Sequence, residues 1–477
     1  MGVVIRIGGG PPYWPVRHID MQCGGPAGAQ DRTRSNPHNN HKEEGHILLG
    51  QVHTGTVTSP APTASLLRFR PFLWLWSGDA ISQLGTQFTQ LAIPVIAVTL
   101  LSATEWQVGL LTAAETAAFL IVGLPAGAWI DRMLKRRVMI FADLVRALAL
   151  AVIPALWFAG LLEMWHLIIV GTAIGIATVF FDVAYQSYIP VLVRSEQVGR
   201  ANAYLETTGQ ISRIGGPGLA GVLLTIVSAP VLIIVDAISF LISALTLSRV
   251  RDKETLRPAA ERESLPTEIA EGLRFVFRHP ILWRITATTA TSNLFGMFIA
   301  TLEVILILRE IGLTPAALGL IFGIGSVGGL LGALAAPWLT KRVGEGTAVS
   351  LSALVMGVTY AAIPLSGMFP RVALPLLIVG AFVQSFLVLV YNITQVTMRQ
   401  RLTPPRLLGR MNASIRFVVW GVNPIGALVA GAIGTAIGIV PTMWIGVCGG
   451  ILAASWVLFS PITRMRVLPT ELAAESD

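Results

Sequence analysis

An all-α membrane protein of twelve transmembrane helices, arranged as two pseudo-symmetric six-helix halves, is the fold class predicted from three observations. Only 13% of the 477 residues are charged, 53% are hydrophobic and the mean hydropathy is +0.69, whereas soluble domains run at roughly 25% charged. Apolar runs of about 20 residues, the length a helix needs to cross a bilayer, recur from Phe72 to Phe459. Finally, short motifs in the first half return in the second at a nearly constant displacement. The first two observations exclude a water-soluble catalyst. Cys23 lies in a polar tail and Cys448 in an apolar run, so neither a disulfide framework nor metal-ligand spacing is present. The 34 basic residues against 26 acidic ones do not gather in one patch, so no nucleic-acid partner is expected.

Residues 1–66 differ in composition from the rest, with Gly8-Gly9-Gly10-Pro11-Pro12 and a polar stretch holding His38, His41 and His46. They lack the pattern of a signal peptide and are expected to be a disordered cytoplasmic tail, or an over-long start with Met21 as an internal start. The histidines are read as solvated rather than metal-binding, for want of a scaffold. Twelve candidate spans follow, at 72–101, 106–130, 138–159, 164–190, 202–227, 229–248, 283–308, 315–339, 346–368, 372–398, 411–436 and 438–460. They divide into a half at 67–248, a linker at 249–282, a half at 283–463 and a tail at 464–477. Within the linker, Ile269, Leu273, Val276 and Phe277 recur at helical spacing, which predicts an interfacial amphipathic helix.

Charge sets the expected orientation. Of the 29 Lys and Arg from residue 68 on, Arg146, Arg213 and Arg416 lie well inside spans, Arg309 and Arg371 in odd-to-even loops, and the other 24 at the opposite side. Both termini are then cytoplasmic. The repeat carries Gly199-Arg200-Ala201-Asn202-Ala203 onto Gly409-Arg410-Met411-Asn412-Ala413 at a displacement of 210, and Glu206 onto Arg416. At 209, Trp129-Ile130-Asp131-Arg132 falls on Trp338-Leu339-Thr340-Lys341. Two halves of even span number repeat in one orientation, about an axis along the membrane normal, with a site expected between them near midplane.

The strongest motif is Gly127-Ala-Trp-Ile-Asp131-Arg132-Met-Leu-Lys135-Arg136-Arg137, in the turn between spans 2 and 3. It resembles the signature loop of the major facilitator superfamily. With Asp143, Arg146, Gly215-Gly216-Pro217-Gly218 and Asp236-Ala-Ile-Ser239-Phe240-Leu, the chain is similar to the branch that holds macrolide efflux pumps and the enterobactin exporter. The likeness covers residues 68–465. It departs at Leu134, which stands in place of a second Gly, at Thr340 in the second-half copy, and in span 4, which lacks an embedded Arg near its start.

The loop reads physically as a cytoplasmic gate. Asp131 is placed to accept from the N-terminus of span 11 around Met411 and Asn412, with Arg410 counted in the same gate, because helix N-termini carry partial positive charge. Asp143 and Arg146, one turn apart, extend that network. Alternatively Lys135, Arg136 and Arg137 only fix topology. Inside the spans, Asp79, Ser82, Gln83, Thr86 and Gln90 make a polar stripe on span 1. Asp182 with Gln186, Glu206 with Gln210 and Arg213, Asn392 with Gln395, and Asn293, Gln384, Tyr391 and Arg416 add further polar positions, and by resemblance these helices line a cavity. Glu206 and Arg213 are read as a structural ion pair rather than as cavity groups. Asp79 and Glu115 have no Lys or Arg within a helical turn and are the candidate proton carriers. Trp76, Phe88, Tyr185, Phe386, Tyr391 and Trp420 suit a large, partly apolar ligand, or face lipid.

No phosphate loop, hydrolase elbow or zinc helix is present, so neither an enzyme nor an ATP-driven pump is expected, and no cofactor. The expected function is a monomeric, proton-coupled exporter of amphipathic small molecules in a bacterial inner membrane, with substrate, protons and lipid as its partners. The direction of transport follows from the resemblance alone. A nutrient symporter or uniporter, and a non-transporting receptor or lipid flippase, remain the alternatives.

Overall fold

Hydrophobic burial in a bilayer requires every backbone amide to be bonded within its own segment, and the regular structure among the described residues is helical throughout. The computed structural model describes residues 66–130, 132–251, 254 and 265–465. The expectations for the N-terminal tail, Asp131, linker residues 252–253 and 255–264, and the C-terminal tail beyond residue 465 lie outside that set.

Span 1 is Arg70–Val95 and continues as a π-helical turn, Ile96–Leu100. Span 2 starts at a Thr104–Gln107 capping box, runs Glu105–Ile121, breaks, and resumes as Gly123–Ile130. Spans 3 to 6 are Lys135–Phe158, Met164–Leu192, Ser195–Leu223 and Ala229–Arg249. A separate helix, Leu265–Arg278, precedes span 7, which is Leu282–Ala300 with Glu303–Ile305 and a second π-helical turn, Leu306–Glu310. Span 8 is Pro315–Val343, capped by Thr314 and begun by Pro315. Spans 9 and 10 are Glu345–Thr359 with Ala362–Met368, and Ala373–Arg401. Span 11 is Leu408–Gly421 with Asn423–Ile437, and span 12 is Ile439–Ala453 with Ser455–Leu458.

Nine of these are long and apolar enough to cross a membrane by length and composition. The other three are span 1, with its polar stripe, span 2, interrupted at Val122, and span 5, which carries Glu206, Gln210 and Arg213. Span 5 also begins at Ser195, seven residues before the apolar run, because its first turns are polar and stand clear of any hydropathy window.

Contacts between spans obey the repeat. Span 1 packs on spans 5 and 6, span 2 on span 4, and span 3 on spans 4 and 6; adding six to each number gives the contacts of the second half. Between halves, span 2 meets span 11 and span 5 meets span 8. Among the described residues the buried apolar side chains form three clusters. One joins both halves through Leu91, Ile96, Leu150, Leu232, Leu302, Leu306 and Met443. It lies at the end of the bundle away from the basic loops, here the far end. At the basic end the core is double, one cluster around Phe72, Ile130, Met139 and Tyr188 and a separate one around Val276, Met398, Met411 and Val457.

Candidate functional site

The polar stripe of span 1 turns inward. Asp79 is buried and accepts from Gln83 Nε2 at 2.8 Å and from the Tyr185 hydroxyl of span 4 at 3.3 Å. Nearly three turns along the same helix, Thr89 donates to Asp236 of span 6, which also accepts from Ser239 at 2.8 Å. Asp143 and Arg146 of span 3 pair with each other inside the first half, both buried. The guanidinium of Arg146 sits between two rings, 4.2 Å from the centroids of Phe181 and of Phe240, an arrangement that favours the cation where water is excluded.

Thr89, Asp236, Arg146 and Phe240 face a cavity of about 240 Å³ between spans 1, 2, 3, 4 and 6. Thr86, Thr89, Gln90, Glu115, Arg146 and Asp236 supply its polar wall, Phe119 and Phe240 part of its apolar wall. Glu115 packs on Gly171 and Gly175 of span 4, where a β-carbon at Gly175 would come within 2.4 Å of the Glu115 carbonyl. Among the described residues its carboxylate has no hydrogen-bond or ion-pair partner. Asp182 is half-buried nearby, within electrostatic range of Arg146 and Arg213 of its own half and of Arg416 across the cleft. Gln186, Glu206, Arg213, Asn392 and Arg416 are exposed although they lie in spans. Glu206 accepts from Gln210 at 2.6 Å, and no Glu206–Arg213 ion pair forms.

In the second half Asn293, Tyr391 and Gln384 are tied to neighbouring spans. Asn293 donates to the Val419 carbonyl at 2.9 Å, the Tyr391 and Thr289 hydroxyls lie 2.8 Å apart, and Gln384 accepts from Thr359. Gln395 donates to Asn392 at 3.4 Å.

Of the loop residues, Gly127 ends up in the short helix that continues span 2, and Arg132 and Arg137 are exposed. Lys135 and Arg136 bind backward. The Glu254 carboxylate, beyond span 6, accepts from the backbone amides of Lys135 at 2.9 Å and Arg136 at 3.4 Å, and the Lys135 ammonium lies 3.4 Å from it. Leu134 offers no side-chain cap, so Glu254 takes that role at the positive end of the helix. Arg136 also donates to the Val250 carbonyl. At the start of span 11, Arg410 pairs with Glu271 of the linker helix, and Asn412 is exposed.

The model of the Major Facilitator Superfamily matches residues 75–374 and, overlapping, 287–473. The chain belongs to the major facilitator superfamily. This superfamily member is 26% identical over 337 residues to the multidrug efflux pump Tap of Mycolicibacterium fortuitum, covering 68% of this chain and 80% of that one. It is 24% identical over 405 residues to macrolide efflux protein A of Streptococcus pyogenes, covering 83% and 97%. Among solved structures, a bacterial homologue of the iron transporter ferroportin in its inward-facing state superposes with a TM-score of 0.64 at 19% identity, over 83% of this chain and 99% of that one. An inward-facing bacterial homologue of the lysosomal transporter Spinster gives 0.63 at 15%, over 83% and 98%. The protein is thus a multi-pass membrane transporter of that superfamily, similar in sequence to multidrug and macrolide efflux proteins.

Sequence reasoning passed over several residues of the site. Asp236 was noted only as part of a motif, although a carboxylate in an apolar run with Ser239 three residues on is itself a signal. Glu303, in span 7, is a second carboxylate of that kind. Arg309 and Glu254 gave no local signal, because their partners lie more than a hundred residues away.

Proposed function

We propose that this transporter exports amphipathic small molecules of the drug, macrolide or siderophore class across a bacterial inner membrane, by alternating access coupled to inward proton flow. Both termini and the basic loops are on the cytoplasmic side. The observation that carries the reading is the asymmetry of the core: the halves share one apolar cluster at the far end and keep two separate ones at the basic end. Rocking about the contacts of span 2 with span 11 and span 5 with span 8 would exchange one closure for the other. Export, rather than uptake, is supported by the Tap and macrolide efflux relatives.

Coupling is assigned to Asp79 and Glu115. Asp79 is bonded by neutral donors and Glu115 by none, so neither charge is held by a cation as Asp143 is by Arg146. A carboxylate of that kind exchanges its proton when the cleft opens to a different side. Arg146, Arg213 and Arg416 around Asp182 set the potential through which the proton and a charged cargo compete. The gate residues Asp131, Arg132, Arg410 and Asn412 would close the basic end in the alternate state. The test is uptake of a fluorescent macrolide or drug into everted vesicles. Accumulation that collapses with the proton gradient supports the reading. Gradient-driven loss of cargo from the same vesicles would mean a symporter, and no movement in either direction a receptor.

A further inference from the structure

The far ends of spans 1 and 7 are built as copies, 210 residues apart. Each ends in a π-helical turn, Ile96–Leu100 and Leu306–Glu310, closed by Leu101 N to Ile96 O at 3.1 Å and Ile311 N to Leu306 O at 2.9 Å. Each then wraps one residue further, Ala103 N to Ala97 O and Leu313 N to Ile307 O, both at 2.9 Å. Each passes through a left-handed residue, Ser102 at φ 49° and Gly312 at φ 77°, and starts the next span on a Thr cap, Thr104 and Thr314. The copies differ at one informative position. Thr99 turns back to the Val95 carbonyl of its own helix at 2.7 Å. Its counterpart Arg309 reaches into the other half, where Nη2 donates to the Ala103 carbonyl at 2.7 Å and the Val98 carbonyl at 3.3 Å.

We infer that Arg309 is the far-end gate residue of the transport cycle, a positioning group whose bonds to the Val98 and Ala103 carbonyls exist only while the two halves meet at that end. The π-helical turn and Ser102 divert the Ala103 amide to Ala97, which leaves the Val98 carbonyl facing out of the helix, and the Ala103 carbonyl precedes the cap of span 2. The Val98 carbonyl belongs to the negative end of span 1, where a guanidinium is favoured, and the hydrogen bonds of Arg309 to both carbonyls are charge-assisted. Glu310, beside Arg309, and Glu105, at the start of span 2, act on the same patch. Opening the far end parts Arg309 from both carbonyls and exposes them to water, so the contact weights the equilibrium toward the state closed there. The repeat supplies no reciprocal latch from Thr99, so this weighting comes from one side only.

The inference rests on alternating access, and the test separates the two. Single cysteines replace Ile93, in the cavity near the far end, and Asn412, exposed at the basic end, in full-length protein whose Cys23 and Cys448 are serine. A membrane-impermeant maleimide is applied to each face of the vesicles. Arg309→Gln should raise labelling at Ile93→Cys about tenfold and lower it at Asn412→Cys, while Arg309→Lys, still a donor, stays within about threefold of the parent. Unchanged rates in Arg309→Gln, or rates that rise together at both ends, overturn the latch. A parent protein whose two cysteines fail to respond in opposite directions to an imposed proton gradient overturns alternating access, and the latch with it.

Discussion

Thr89 and Asp236 join spans 1 and 6 through a buried hydroxyl-to-carboxylate bond of 2.5 Å, on the wall of the first-half cavity. With Ser239 also donating, and Gly85 so close that a β-carbon there would come within 2.4 Å of Asp236 Oδ1, the carboxylate is held between span 1 and its own helix. A geometry this constrained makes the pair a support for the cavity wall rather than a mobile ligand.

Thr89→Val therefore removes a neutral donor from a buried acceptor and is expected to lower stability by about 1–3 kcal/mol. Thermal unfolding in detergent should show the loss, and Thr89→Ser should restore most of it. A Thr89→Val protein as stable as the parent would mean that the bond contributes nothing net.

Glu115→Gln and Asp79→Asn are expected to abolish pH-driven transport while cargo affinity changes by less than about tenfold, or 1.4 kcal/mol. Drug binding to purified protein and gradient-driven uptake in vesicles measure the two separately. If both variants keep wild-type pH dependence, the proton site moves to Asp182 or Glu206.

Gly319→Ala tests the closure of spans 5 and 8. Its β-carbon would lie 2.4 Å from Gly221 Cα and 2.8 Å from the Pro217 carbonyl, all backbone, so the halves must part at the far end. Overpacking of this kind costs about 1–3 kcal/mol, and it falls on the far-end-closed state alone. Labelling of a cysteine at Ile93 should accelerate accordingly. Gly323→Ala, whose β-carbon meets Gly218 Cα at 3.3 Å, should have a much smaller effect.

His279 precedes span 7, and its Nδ1 accepts from the backbone amides of Ile281 at 3.2 Å and Leu282 at 3.3 Å. Burial holds its imidazole below the usual range, so the folded state prefers the neutral ring. The stability this contributes is complete above the ordinary imidazole pKa and is lost as pH falls through that value toward the folded one. Wild-type melting temperature should drop between pH 7.5 and pH 5 by more than that of His279→Asn, which keeps an acceptor and does not titrate. Parallel pH profiles for the two proteins would count against the cap.

Asp131→Asn is expected to slow turnover at unchanged membrane abundance, and by more than Lys135→Gln, whose ammonium lies only at the edge of the Glu254 cap. Initial rates of export normalised to protein in the membrane decide it, and equal rates for wild type and Asp131→Asn would remove Asp131 from the gate.

The twelve spans and the two-half repeat were legible because both are one-dimensional properties. Hydropathy is read in a window of one helix, and the Gly199 and Gly409 motifs are seen by sliding the chain along itself. The polar stripe of span 1 was legible for the same reason. Its partners were not. Asp79 shows Gln83 in sequence but not Tyr185, 106 residues away. Asp143 and Arg146 were readable as one turn of one helix, yet nothing near them announced that Phe181 and Phe240 would enclose the cation.

Insertion, span number and the pseudo-symmetry of the halves were determined by the sequence alone, since the cost of unbonded backbone in hydrocarbon leaves a helix as the only outcome for each apolar run. Only the tertiary structure decided which end of the bundle is closed, that Asp236 faces Thr89, and that Arg309 rather than Thr99 crosses between halves. Those outcomes depend on side chains finding partners, a carboxylate in one case and a backbone carbonyl in the other, over separations of 147 and 206 residues, where the geometry of helix contacts, and no local pattern, selects the partner.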